Sequence, residues 1–187
     1  MKVLEIGPGA ADGKSIHFPE ADTVDTAAAG ATCNRRWGQE PFPFKDNTYD
    51  LVFASHVLEH VSWYRTDAAL TEAHRVLKPG GHIQIFVPDF KWILECYQNK
   101  KKGDNWDVYG TGKHWMTWVN GRLFTYGEDA VELKSKRRPL VQTHHKAAFD
   151  QDYLAWRLKK NGFKDCKPFK RKHGTAHPHE LAMIGTK

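Results

Sequence analysis

The sequence predicts a single α/β domain with a mainly parallel sheet, an antiparallel last strand and an aromatic-rich insertion. Three observations carry that expectation. Short apolar runs at Val3–Ile6, Leu51–Ala54 and His82–Val87 read as buried strands. A helical repeat over Thr66–Lys78 lies between two of them, with Ala69, Leu70, Ala73, Val76 and Leu77 on one face. The 187 residues show no internal repeat and no second domain, and suffice for one sizeable core.

The first strand runs straight into Gly7-Pro8-Gly9. Without a Cβ, the two glycines allow a sharp turn and the close approach of a ligand, and Pro8 fixes one φ between them. Only about a dozen residues separate Gly9 from the next strand, Asp22–Asp25, roughly the minimum for a parallel crossover. The first crossover helix is therefore expected to be short or missing. Asp25 follows Gly7 by 18 residues, near the ~20-residue spacing at which dinucleotide folds place an acid on ribose hydroxyls. Residues 27–30 suit a weak helix or a loop, and Arg35, Arg36 and Trp37 suit the edge of a short third strand. Turn residues in Pro41 to Asp50 lead into Leu51–Ala54, with Ser55, His56, Glu59 and His60 at its carboxyl end. Pro79-Gly80-Gly81 stops the helix, and Pro88-Asp89 closes the strand after it.

Residues 91–148 break the alternation. Trp92 to Tyr97 reads as a short helix, and Trp106, Tyr109, Trp115, Trp118, Phe124 and Tyr126 follow among glycines. The segment is expected to lie over the ligand edge of the sheet as a substrate lid, or to form a small satellite core. Lys134 to Arg138 is a basic loop closed by Pro139. A helix over Phe149–Asn161 and a hairpin of Phe163–Phe169 with Leu181–Ile184 complete the domain.

Composition excludes several classes. No apolar run approaches the ~20 residues of a membrane span, and the acidic start does not suit a signal peptide. Three scattered cysteines favour neither a disulfide framework nor a cysteine zinc site, so a cytoplasmic setting is expected. The net charge of +6 is uneven: residues 1–90 carry −4, 91–130 carry +1 and 131–187 carry +9. The basic end suits a solvated surface, or attraction of an anionic acceptor such as a phosphorylated sugar, a nucleotide conjugate or nucleic acid.

With these segments placed, the chain resembles the class I S-adenosylmethionine-dependent methyltransferases, and among them the small type-11-like group. Val-Leu-Glu-Ile-Gly-Pro-Gly at 3–9 is similar to that family's first motif. So is the stretch from Phe44 through Asp50 into Ser55-His56-Val57-Leu58-Glu59-His60, and so is Arg75-Val76-Leu77-Lys78-Pro79-Gly80-Gly81. His145 to Asp150 and Asn161-Gly162-Phe163 are similar to the group's C-terminal half.

The resemblance implies a Rossmann-like fold and S-adenosyl-L-methionine as cofactor. Glu5, Gly7, Pro8 and Gly9 would frame its methionine and ribose, and Asp25 would accept from the ribose hydroxyls. Ser55 and His56 would face the methionine end. The family often meets adenine with an acid after the third strand. Here Trp37, Gly38 and Gln39 stand there, which leaves Gln39 to bond adenine and Trp37 to stack. The start at the first strand suggests an open site, completed by the insertion or by a second subunit in a homodimer.

The implied reaction is methyl transfer to a small or medium acceptor, with a sugar or glycan hydroxyl the leading candidate. A hydroxyl acceptor calls for a base. His56 ranks first, at the end of the fourth strand, and His145 second, where the insertion rejoins the sheet. His60, His144 and Asp89 are the alternatives. No metal site is expected, because His173, His177 and His179 lack a carboxylate or cysteine at ligand spacing. The rival readings are a non-catalytic cofactor-binding protein and a nucleic-acid-binding module, the latter disfavoured because no such motif occurs.

Overall fold

In the computed structural model, residues 1–10, 12–103, 114–124, 144–170 and 179–187 are described. Trp106, Tyr109, Tyr126, the basic loop Lys134 to Arg138, His173 and His177 lie outside them. The elements in chain order are β1 (Val3–Ile6), β2 (Asp22–Asp25), β3 (Cys33–Asn34), β4 (Tyr49–Ser55), α1 (Thr66–Val76), β5 (Leu77–Pro88), α2 (Phe90–Gln98), α3 (Trp115–Leu123), α4 (Gln151–Lys160), β6 (Lys164–Pro168) and β7 (Glu180–Thr186).

Seven strands form one sheet in the order β3-β2-β1-β4-β5-β7-β6. The first five are parallel, β1 lying between β2 and β4. β7 runs antiparallel between β5 and β6, so the expected closing hairpin forms. All four residues of β1 are buried, which explains their continuous apolar run. The third strand is only Cys33–Asn34, earlier than Arg35 to Trp37 suggested. Residues 27–30 form turns, and the 7–21 crossover holds no helix among the described residues. α1 ends at Val76, two residues sooner than expected, because Leu77 already pairs with Tyr49; the pairing then slips and resumes at Leu51 with His82.

The two faces of the sheet are covered differently. On one, Ala69, Leu70, Ala73 and Val76 of α1 and Leu154 and Leu158 of α4 pack with Leu4, Ile6, Val52, Ala54, Ile83 and Ile85. On the other, Val3, Leu51, Phe53 and Phe86, with Ala182 of β7 beside them, are covered by Phe18, Ala21 and Phe169. The rings there form a ladder: Phe18–Phe53, Phe53–Phe86 and Phe86–Phe169 have centroids 5.2, 5.3 and 5.2 Å apart, spacings favourable for tilted aromatic pairs. α2 and α3, the described part of the insertion, make a small core of their own around Ile93, Cys96 and Trp118.

Asp67 fastens α4 to α1. Its carboxylate meets Lys160 Nζ at 2.8 Å, Asn161 Nδ2 at 2.9 Å and Arg157 NH1 at 3.1 Å. Burial alone would raise its pKa, but these donors outweigh that and hold it below the ordinary value. A depressed carboxylate contributes stability above its unfolded pKa of about 3.9 and loses it as the pH falls through the folded value. Asp67→Asn is expected to cost about 1 kcal/mol at neutral pH, a figure discounted for partial exposure. In urea titrations the variant's stability should also fall less steeply below pH 4.

Candidate active site

In open α/β sheets, ligands bind beyond the carboxyl ends of the strands, where the strand order reverses. Here that point lies between β1 and β4, whose crossovers lead to opposite sides. Gly7 and Gly9 both hold left-handed φ, 65° and 75°, and the Gly7 N–H donates to Val24 O at 2.8 Å. A Cβ on Gly7 would lie 2.4 Å from Val57 Cγ2, so Gly7 is where β1's exit and β4's exit touch. A Cβ on Gly9 would meet nothing within 4 Å, leaving backbone exposed to an approaching ligand. Pro8 is buried and shapes the turn without offering a surface.

Asp25 ends the neighbouring β2. Its Oδ1 accepts from the Ala27 and Ala28 N–H groups at 2.9 and 3.0 Å. That turn orients the carboxylate. Glu5 is buried, and its carboxylate takes the Ser15 hydroxyl and His17 Nδ1, the latter at 2.7 Å. The helix-free crossover thus folds back on Glu5, which acts as its anchor; the expectation that Glu5 frames the ligand directly is corrected on that ground. Trp37 is also corrected. Its ring is in the main core and its indole N–H donates to Ala69 O at 2.7 Å, so it stacks on no ligand. Gln39 stays exposed in the turn after β3, its N–H on Arg36 O.

Beyond β4, Ser55 is half-buried and His56 takes a left-handed φ of 55°. The strain is borne because the imidazole bridges two buried carboxylates, Glu59 at 3.3 Å from Nδ1 and Glu180 at 3.1 Å from Nε2. Burial alone would lower its pKa, but Glu180 and Glu59 outweigh that and raise it to about 9. With both ring nitrogens committed to carboxylates and the ring charged near neutrality, His56 cannot take a proton from an acceptor. The first-ranked base is therefore a structural cation joining β4 to β7.

His145 is placed differently. Its Nδ1 lies 3.0 Å from Arg122 O, and a carbonyl only accepts, so Nδ1 carries the proton and Nε2 the lone pair. Burial lowers its pKa to about 4, against the opposing charge of Glu59. It helps to line a cleft with Pro88, Phe90, Ile93, Arg122, Leu123 and Ala147. Asp89 caps α2 through Lys91 N at 2.9 Å. His60 Nδ1 lies 3.1 Å from His144 O, with its ring 5.0 Å from that of His145. Residue spacing gave no sign of that last meeting, since the two histidines are 85 positions apart.

A sulfonium nucleoside fits this arrangement: bare backbone at Gly9, a turn at Gly7 that admits no side chain, and a carboxylate one strand over. The comparisons agree. Residues 38–85 match the family model described as "Methyltransferase domain". The uncharacterized protein YafE of Escherichia coli is 43% identical over 91 residues, 43% of this chain and 41% of that protein. The ubiquinone/menaquinone biosynthesis C-methyltransferase UbiE of Cupriavidus metallidurans is 27% identical over 119 residues, 60% of this chain and 44% of that one. The chain thus spans less than half the length of these relatives. A crystal structure of a SAM-dependent methyltransferase from Archaeoglobus fulgidus shares the fold, with a TM-score of 0.57 at 16% identity over 100% of this chain and 86% of that one. Among the described residues no helix is long and apolar enough to cross a membrane. The fold is thus that of the S-adenosylmethionine-dependent methyltransferases, and residues 38–85 are similar in sequence to their catalytic domain.

Proposed function

We propose that the protein transfers the methyl group of S-adenosylmethionine to a small or medium acceptor, with a sugar or glycan hydroxyl as the first candidate. The observation that carries the reading is the Gly7–Gly9 turn, open beside Gly9, at the reversal of the strand order, with Asp25 ending the adjacent strand. When bound, the cofactor supplies an electrophilic methyl carbon on sulfur. The chain's own part is chiefly alignment, which contributes roughly 7–11 kcal/mol in well-oriented reactions. Gly7 and Gly9 bring backbone against the nucleoside, Asp25 holds the ribose, Ser55 faces the methionine end and Gln39 bonds adenine. The acceptor enters the cleft walled by Phe90, Ile93, Leu123 and His145, and His145 touches it. The +9 charge of residues 131–187 supports an anionic acceptor.

A quinone ring is the second reading, because UbiE relatives act in ubiquinone and menaquinone biosynthesis. Release of S-adenosylhomocysteine is measured with a panel of sugar phosphates, nucleotide sugars and quinols. Turnover on the sugars alone supports the first reading and turnover on the quinols alone the second. Tight S-adenosylhomocysteine binding with no turnover on any acceptor would favour a non-catalytic binder.

Asp25→Ala is expected to weaken S-adenosylhomocysteine binding by about 1–3 kcal/mol through loss of charged hydrogen bonds. Asp25→Asn keeps the oxygen that caps Ala27 and Ala28, so it separates the turn from the ribose contact. Unchanged calorimetric affinity in both folded variants would remove Asp25 from the site.

A further inference from the structure

We propose that Glu59, His60 and His145 form a site for a divalent transition-metal ion of the zinc class. One ligand atom from each lies within 4.8 Å of the others. Facing ligands on tetrahedral zinc are roughly 3.3 Å apart at ordinary bond lengths, so the set closes by at most about 1.5 Å on binding.

Two independent features point to a cation. The first is the orientation of the histidines. Each sets Nδ1 on a backbone carbonyl, His60 on His144 at 3.1 Å and His145 on Arg122 at 3.0 Å. The proton is therefore on Nδ1 and the Nε2 lone pair is available for ligation. Metal-bound histidines are held by outer hydrogen bonds of this kind. The second is the carboxylate. The Glu59 side chain is 2% exposed, and neither of its oxygens has a hydrogen-bond partner. Its nearest cation is His56 Nδ1 at 3.3 Å. His56 is shared with Glu180 and offsets only part of that buried charge, so the unbonded Glu59 oxygens keep lone pairs for a second cation. Two imidazole lone pairs and a carboxylate supply the donor set of catalytic zinc, with a fourth position left open.

His145 also walls the acceptor cleft, so the open position is where an acceptor oxygen would bind. A metal there acts as a Lewis acid and eases loss of the hydroxyl proton. This role rests on the methyl-transfer reading; the binding of the ion does not.

The test uses the full chain, stripped with a chelator and titrated with Zn²⁺ by calorimetry and with Co²⁺ by visible absorption. One equivalent and the intense bands of four-coordinate cobalt are expected. Glu59→Gln and His145→Gln should each weaken binding at least tenfold, whereas His177→Gln should not. His60→Gln, at a half-buried position, replaces Glu59→Gln if circular dichroism shows that the latter does not fold. No stoichiometric binding, or binding undiminished in the folded variants, overturns the site. S-adenosylhomocysteine binding is titrated on the same samples. Nucleoside bound without metal would sink this proposal and spare the methyltransferase reading; metal bound without nucleoside would do the reverse.

Discussion

Gly7→Ala is expected to lose S-adenosylhomocysteine binding more than tenfold and to destabilise the fold by about 2–4 kcal/mol. Two costs add. A left-handed φ of 65° penalises any L side chain by roughly 1–2 kcal/mol. The new methyl would also press on Val57 Cγ2, 2.4 Å from its ideal position. Val57 is β-branched and stiff at χ1, so it yields only by moving the Leu58–His60 turn that follows. Adding Val57→Ala should recover the steric part and leave the backbone part. Calorimetry with urea unfolding separates the two, and a Gly7→Ala protein with native affinity would refute the placement of the nucleoside at this turn.

The second large effect is expected at His56. Removing it takes away the cation between Glu59 and Glu180, whose side chains are 2% and 3% exposed. Breaking a buried pair from one side costs 3–5 kcal/mol; partial exposure of His56 puts His56→Ala near the low end, about 3 kcal/mol. Glu180→Gln in that background should restore part of the loss, because one of the two buried charges goes with it. The sequence alone ranked His56 first as the base, which would make turnover rather than stability the property lost in His56→Ala. A variant less than about 1 kcal/mol from wild type would return His56 to the catalytic candidates.

The sheet was legible because its signals are local. Buried parallel strands are apolar throughout, and the turns at Gly7-Pro8-Gly9 and Pro79-Gly80-Gly81 mark their ends. The place of Asp25 at the end of the second strand was legible too, and its spacing from Gly7 is what suggested a ribose role. What could not be read was decided by contacts between distant segments. Trp37 turns inward because Ala69 O, 32 residues on, takes its N–H. Glu5 is occupied because the crossover lacks a helix and brings Ser15 and His17 back to it. The meeting of Glu59 and His60 with His145 depends on Lys146 and Ala147 donating to Glu59 O, a link across the whole insertion. No periodicity encodes any of these.

The ring ladder of the second face has a consequence for the chain as it is made. Its four members come from positions 18, 53, 86 and 169, so the last rung leaves the ribosome long after the first three. Until then Phe86 lacks its outer partner, although Phe18 can already cover Phe53. That face of the nascent protein is a window of vulnerability to sticking, closed only when the C-terminal hairpin docks.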